Sequence, residues 1–194
     1  MKTTSVGEEH RPFLTDIQEL RRRAREHMGM GAVGGSHRAD RQTVIRILIE
    51  VLATEIVCVL RYKRHYYMAT GIQAQAMAQK FLEHASEEQC HAYIAAERIT
   101  QLGGEPNFNP QGLATRSHSH SVDGTSLLEM VREDLVAERI AVESYNEIIR
   151  YLGDDDPTTR IAMEQILAKE EEHADDMKKL LETLGNDKRF AAHS

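Results

Sequence analysis

Tryptophan is absent from the chain, and 194 residues contain only two cysteines and four prolines. Two cysteines, Cys58 and Cys90, are too few for a disulfide framework, so a stapled secreted scaffold is excluded and a reducing compartment is expected. So little proline, with twelve glycines, argues against a turn-rich sandwich or barrel and for long helices. Long apolar runs are missing too. The most apolar stretch, Val44 to Leu60, is broken by Arg46, Glu50 and Glu55, which excludes an ordinary membrane span. Met1 to His10 is polar and lacks the basic-then-apolar pattern of a leader, so the expected location is cytoplasmic. What is present is 41% hydrophobic and 28% charged, the balance of a single globular domain with a core.

The net charge of −7 is unevenly spread. Residues 1–46 carry nine Lys/Arg against six Asp/Glu, while residues 47–194 carry fifteen against twenty-five. An acidic body of this kind attracts small cations and repels nucleic acid, whereas a mildly basic arm can touch something anionic.

Periodicity divides the chain into one short and four long helical segments. From Pro12 to about Met28, Phe13, Leu14, Ile17 and Leu20 mark an amphipathic helix with Arg21, Arg22, Arg23 and Arg25 toward its C-terminus, where cations are favoured. Gly29, Gly31, Gly34 and Gly35 then form a linker. Residues 41–69 are rich in Val and Ile, but a run of that length without Gly or Pro exceeds any ordinary strand and reads as helix. A second long helix is expected from Ile72 to Leu102. A third runs from Thr125 or Ser126 to Leu152, and a fourth from Asp156-Pro157 to Leu184, stopped by Gly185. The link between the second and third, Glu105 to Gly124, is long enough to travel the length of a bundle. The expected fold is therefore all-α: a four-helix bundle with one long connection, over residues 40–185, preceded by an arm at 1–39 and followed by a polar tail at 186–194.

The chemistry lies in a repeat. The first and third long helices each carry a glutamate followed seven residues later by a tyrosine, Glu55 with Tyr62 and Glu138 with Tyr145. The second and fourth each carry Glu-x2-His, Glu88 with His91 and Glu170 with His173. Glu138 follows Glu55 by 83 positions, and Glu170 and His173 follow Glu88 and His91 by 82. Residues three or seven apart share a helix face, so each helix presents its polar pair on one side. Four carboxylates and two imidazoles facing one core are too costly without compensating cations. Two divalent ions would neutralise them, and a carboxylate-rich, nitrogen-poor donor set suits iron or manganese better than zinc.

These segments resemble the ferritin-like superfamily, most closely the bacterioferritins and the related Dps (DNA-protection-during-starvation) cages. Glu-Ile-Val-Cys-Val-Leu-Arg-Tyr at 55–62, Asp-Leu-Val-Ala-Glu at 134–138 and Ile-Leu-Ala-Lys-Glu-Glu-Glu-His at 166–173 carry the likeness, which extends over residues 40–184. The resemblance implies a centre of two iron ions per subunit, with manganese as the alternative. Glu55 and His91 would hold one ion, Glu138 and His173 the other, and Glu88 and Glu170 would bridge them. Tyr62 and Tyr145 would stand beside the ligands as hydrogen-bond donors or electron sources. The implied activity is oxidation of Fe(II) by O2 or H2O2, with storage of the product inside a hollow homo-oligomeric cage.

Departures from the family pattern refine this. Bacterioferritins bind haem through a methionine immediately after the second-helix glutamate, and here that residue is Gln89, so no haem is expected. The residues after Gly185 are too few for a fifth helix, which favours a dodecamer over a shell of twenty-four. Ile140 stands where archaeal-type Dps-like proteins carry a helix cysteine, and no Cys-x2-Cys pair supports a rubredoxin module. Two other readings stay open: a discrete di-iron or di-manganese oxidase or peroxidase that stores nothing, and a DNA-protecting protein acting through its arm. For the Arg21–Arg25 cluster a salt-bridged helix is expected over DNA contact. Cys58 and Cys90 read as small packing residues, with a redox role as the alternative. His118 and His120 are expected to be solvated, with iron guidance as the alternative. Glu87 is expected on a solvated face, with handing of iron to the centre as the alternative, and Glu83, His65 and His84 flank the motifs without an assigned role.

Overall fold

In the computed structural model, residues 16–31, 33–34, 38–70, 74–120 and 122–186 are described. The chain divides into two units, residues 1–36 and 37–194. The first contains α1 (Ile17–Glu26). Asp16 caps this helix: its side chain accepts from the backbone N–H of Gln18 at 2.8 Å and Glu19 at 3.3 Å. An aspartate side chain that satisfies otherwise unpaired N–H groups of the first turn fixes a helix start. Residues 12–15 lie outside the described residues. Arg22 is bonded to Glu19 at 2.7 Å and Glu26 at 2.6 Å, and Arg23 is paired with Glu19 at 3.5 Å.

The second unit holds α2 (Arg41–Met68), α3 (Gln75–Gln101), α4 (Leu113–Arg116), α5 (Leu127–Leu152) and α6 (Pro157–Asn186). Capping side chains fix the starts. Asp40 accepts from Thr43 N at 3.1 Å, Ser126 from Glu129 N at 3.2 Å, and Asp156 from Thr159 N at 3.0 Å. Gly153 closes α5 at φ +46°, a left-handed backbone that glycine adopts without penalty. α6 continues two residues beyond its expected stop at Leu184, through Gly185 to Asn186, and the expected start of α3 at Ile72 falls among residues 71–73, outside the described residues. Every described long element is helical, and no helix among the described residues is long and apolar enough to cross a membrane.

Packing pairs α2 with α3 and α5 with α6, and the two hairpins meet through α2–α5 and α3–α6 contacts. The segment between α3 and α5 follows α2. Gly104 lies against Ile45, His118 N donates to Thr54 Oγ1 at 2.9 Å, Arg61 Nη1 donates to Ser119 Oγ at 3.0 Å, and Arg64 pairs with Asp123 at 3.4 Å. A Cβ at Gly104 would lie 2.9 Å from Ile45 Cγ2, so a larger residue here would force the Ile45 side chain to shift. At one end of the hairpins Arg98 from α3 donates to Thr159 Oγ1 at 2.7 Å and Asp156 Oδ1 at 3.0 Å, tying α3 to the start of α6.

Candidate metal centre

The helix pairing brings the eight singled-out residues to one place. Glu55 and Tyr62 come from α2, Glu88 and His91 from α3, Glu138 and Tyr145 from α5, Glu170 and His173 from α6, and all are buried. His91 Nδ1 lies 3.1 Å from Glu88 Oε2, 2.8 Å from Glu170 Oε1 and 3.6 Å from Glu55 Oε2. His173 Nδ1 lies 3.1 Å from Glu88 Oε1, 3.8 Å from Glu138 Oε2 and 3.9 Å from Glu170 Oε2. Glu88 and Glu170 thus each turn one oxygen to each histidine, whereas Glu55 and Glu138 each face one. Tyr145 donates to Glu55 Oε1 at 2.6 Å, and Tyr62 donates to Glu138 Oε1.

Donor atoms of the six expected ligands fall into two overlapping groups of a kind that can hold a metal ion, Glu55, Glu88, His91 and Glu170, then Glu88, Glu138, Glu170 and His173, with atoms in each within 4.8 Å of one another; His84 meets the same distance with Glu138 and His173. Glu55 Oε2 and Glu170 Oε1 are buried without a hydrogen bond. Glu170 Oε1 lies 2.8 Å from His91 Nδ1. Buried carboxylate oxygens are rarely left this way unless a cation completes them, so these donors fit a pair of hard or borderline divalent ions.

The electrostatics point the same way. Burial and the adjacent Glu88 charge push the Glu55 carboxyl up to about 8. Burial likewise holds Glu170 well above, and Glu138 above, the usual carboxylate range. For Glu88, burial works upward but the hydrogen bonds from His173 and His91 outweigh it, and its carboxyl sits below that range. Burial opposes charging of the two imidazoles, yet their carboxylate neighbours raise His91 to about 10 and His173 to about 9. The centre is therefore one that balances its charge with protons when cations do not.

Around this set lie residues the sequence left unassigned. His84 is buried, stacks on His173 with ring centroids 4.0 Å apart, and places Nδ1 3.2 Å from the Tyr62 hydroxyl. Burial and the neighbouring His173 lower its imidazole to about 4. Asp134 accepts from Arg61 Nε at 2.9 Å and lies 2.9 Å from His65 Nδ1, all three being buried. Each stands at a helical i±3 or i±4 position from a motif residue, the one signal that would have found it: His84 from Glu88, His65 from Tyr62, Asp134 from Glu138. Glu87 is not merely solvated, for its Oε2 lies 2.7 Å from His173 Nε2, whereas Glu83 pairs with Lys80 at 2.8 Å. Cys58 is buried beside Arg61 Nη2 at 3.3 Å, and burial pushes its thiol up. Cys90, read from sequence as a packing residue, is exposed because it sits a third of a turn away from the Glu88–His91 face. Gln89 is half-buried, His120 is exposed and His118 pairs with Glu50 at 3.3 Å.

Paired helical hairpins enclosing overlapping carboxylate–histidine groups make a bundle of ferritin type whose buried donors suit a pair of metal ions. Residues 45–186 match the Ferritin family model, described as the ferritin-like domain, and the chain belongs to that family. Among characterised relatives it is 30% identical to the bacterioferritin of Mycobacterium avium over 142 residues, 73% of this chain and 85% of that one. It is 28% identical to the DNA protection during starvation protein of Pyrococcus furiosus over 137 residues, 69% of this chain and 74% of the other. Among solved structures it is similar to the dodecameric thioferritin, a bacterioferritin-related protein, of Bacteroides fragilis. The TM-score there is 0.73 at 27% identity, covering 76% of this chain and 89% of that one.

Proposed function

We propose that the chain is a haem-free ferroxidase. It takes Fe(II) as substrate at the buried centre, oxidises it with O2 or H2O2, and retains the product inside a cytoplasmic homo-oligomeric cage, a dodecamer in preference to a 24-mer. The observation that carries the reading is the disposition of Glu88 and Glu170, each offering one oxygen toward His91 and one toward His173. In this reading Glu55 and His91 hold one iron, Glu138 and His173 the other, and the two shared carboxylates bridge them. The iron pair supplies two electrons together, which reduce O2 with two protons to H2O2, or H2O2 with two protons to water, without one-electron products.

The residues of the chain do the rest. Tyr145 and Tyr62 hold Glu55 and Glu138 in orientation. The shared carboxylates Glu88 and Glu170 would hold the two ions side by side, and burial excludes solvent from the site. The acidic body favours entry of Fe(II). The family membership and the bacterioferritin relatives support iron oxidation and storage.

Aerobic Fe(II) loading followed by gel filtration tests this. Many irons per chain in a large particle are expected. Two or fewer per chain would instead identify a discrete dimetal oxidase or peroxidase, with iron or manganese as the resident metal. DNA protection by the arm predicts a gel shift with the full chain that is lost on removing residues 1–39. The commitment of Arg22 and Arg23 to Glu19 and Glu26 argues against one.

A further inference from the structure

His173 of α6 meets carboxylates at both ends of its ring. Inward, Nδ1 lies 3.1 Å from Glu88, 3.8 Å from Glu138 and 3.9 Å from Glu170. Outward, Nε2 lies 2.7 Å from Oε2 of Glu87, which reaches across from α3. Glu87 is part-exposed, and its other oxygen lies 3.9 Å from Lys169 Nζ. One face of the ring is covered as well. His84, which faces Asp176 of α6 at 3.5 Å, stacks on it with centroids 4.0 Å apart and planes 18° from parallel. These contacts at edge and face hold the ring in one orientation. Glu87 accepts only from a protonated nitrogen, so it keeps the ring proton on Nε2 and makes Nδ1 the nitrogen that can offer a lone pair to the other donors' side.

His91 is held differently. Its three ion pairs among the described residues, to Glu88, Glu170 and Glu55, are all made by Nδ1. The repeat gives the reason. Glu88 and His91 are followed 82 positions later by Glu170 and His173, but Glu87 is followed by Lys169. A lysine ammonium donates hydrogen bonds and accepts none, so it cannot do for His91 what Glu87 does for His173.

We propose, resting on the two-metal reading above, that Glu87 is a positioning residue that pre-orients His173, and that lysine at the matching place makes the two halves of the centre unequal. The ion on the Glu138–His173 side is then held more tightly than the ion on the Glu55–His91 side. A carboxylate behind a ligating imidazole fixes its tautomer and raises its basicity, and losing one costs about 10- to 100-fold in metal affinity.

Calorimetric and visible-absorption titration of the metal-free, full-length protein with Co(II) tests this. The wild type should bind two Co(II) per chain in two unequal steps. E87A should weaken the tighter step by about 10- to 100-fold and leave the weaker step in place. E87Q should weaken it less, because an amide oxygen still accepts from Nε2 without carrying charge. H173Q should remove the same step, and E87A/H173Q should titrate as H173Q does, because Glu87 acts through that ring. A purely structural role for Glu87 would instead lower the melting temperature of the metal-free protein and shift neither step selectively. Unchanged steps in E87A, equal weakening of both, or additive losses in the double variant would overturn the assignment while leaving the two-metal centre standing. Unchanged steps with slower uptake of Fe(II) would also overturn it, and would make Glu87 a residue that hands iron inward. A wild type that binds no Co(II) would overturn both readings.

Discussion

Arg61 donates its Nε to Asp134 at 2.9 Å with both side chains fully enclosed, and this ion pair fastens α2 to α5 one turn away from Glu138. Asp134 also receives His65, and Arg61 reaches on to Ser119 in the segment between α3 and α5. Removing one partner of a buried pair leaves the other charge uncompensated. D134A should therefore lose about 3–5 kcal/mol of stability in a denaturant titration, whereas the apolar pair R61M/D134V, closer in volume, should lose much less. Equal losses would show that the charges themselves contribute little.

Glu88 places one oxygen 3.1 Å from each of the two histidines, nearer to the pair than any other carboxylate of the centre. E88A should reduce the affinity for the first two divalent ions by more than about 100-fold and abolish rapid Fe(II) oxidation, while helix content stays near that of the wild type. Stopped-flow absorbance and circular dichroism check the two halves of this expectation. Retained oxidation kinetics would dismiss the centre.

Proton release gives a third test. In the metal-free protein His91, at about 10, His173, at about 9, and Glu55, at about 8, all hold protons at pH 7. A cation needs the lone pairs these protons occupy. Zn(II) added to weakly buffered protein at pH 7 should acidify the solution by more than about one proton per chain. Apparent affinity should rise from pH 7 to 9 and level off above about pH 10, and an affinity flat across that range would contradict the charge state assigned to the centre.

Asp156 both caps α6 through Thr159 N at 3.0 Å and neutralises the buried Arg98. Loss of a cap costs about 1 kcal/mol, and stranding a buried guanidinium costs more. D156A should accordingly lower stability by about 3 kcal/mol, with D156N recovering part of it because an amide still caps. A D156A loss of 1 kcal/mol or less would assign the residue to capping alone.

Much of this was legible in the chain because it is written in local signals. Asp40, Ser126 and Asp156 announce three helix starts, and each lies within a residue or two of the expected boundary. The repeat placed Glu55, Glu88, His91, Glu138, Glu170 and His173 on inward faces because a three- or seven-residue spacing is enough to do so. What was not legible depends on which helix lies beside which. His84 and Asp176 are 92 positions apart, Glu87 and His173 are 86, and Arg61 and Asp134 are 73. No local pattern links such pairs. Only the docking of α3 on α6 and α2 on α5 turns an ordinary surface-type carboxylate into the partner of a buried ring.

That docking has one more consequence. Neither hairpin contains a complete set of donors: the group around His91 needs Glu170 from the α5–α6 hairpin, and the group around His173 needs Glu88 from the α2–α3 hairpin. A cation in either group is therefore a rivet between two halves of the molecule. Any fluctuation that parts the hairpins dissolves both groups together, so loss of the bound ions and opening of the bundle are one event. Occupancy should then slow exchange of the innermost helix amides on all four long helices, not only on those nearest the ions.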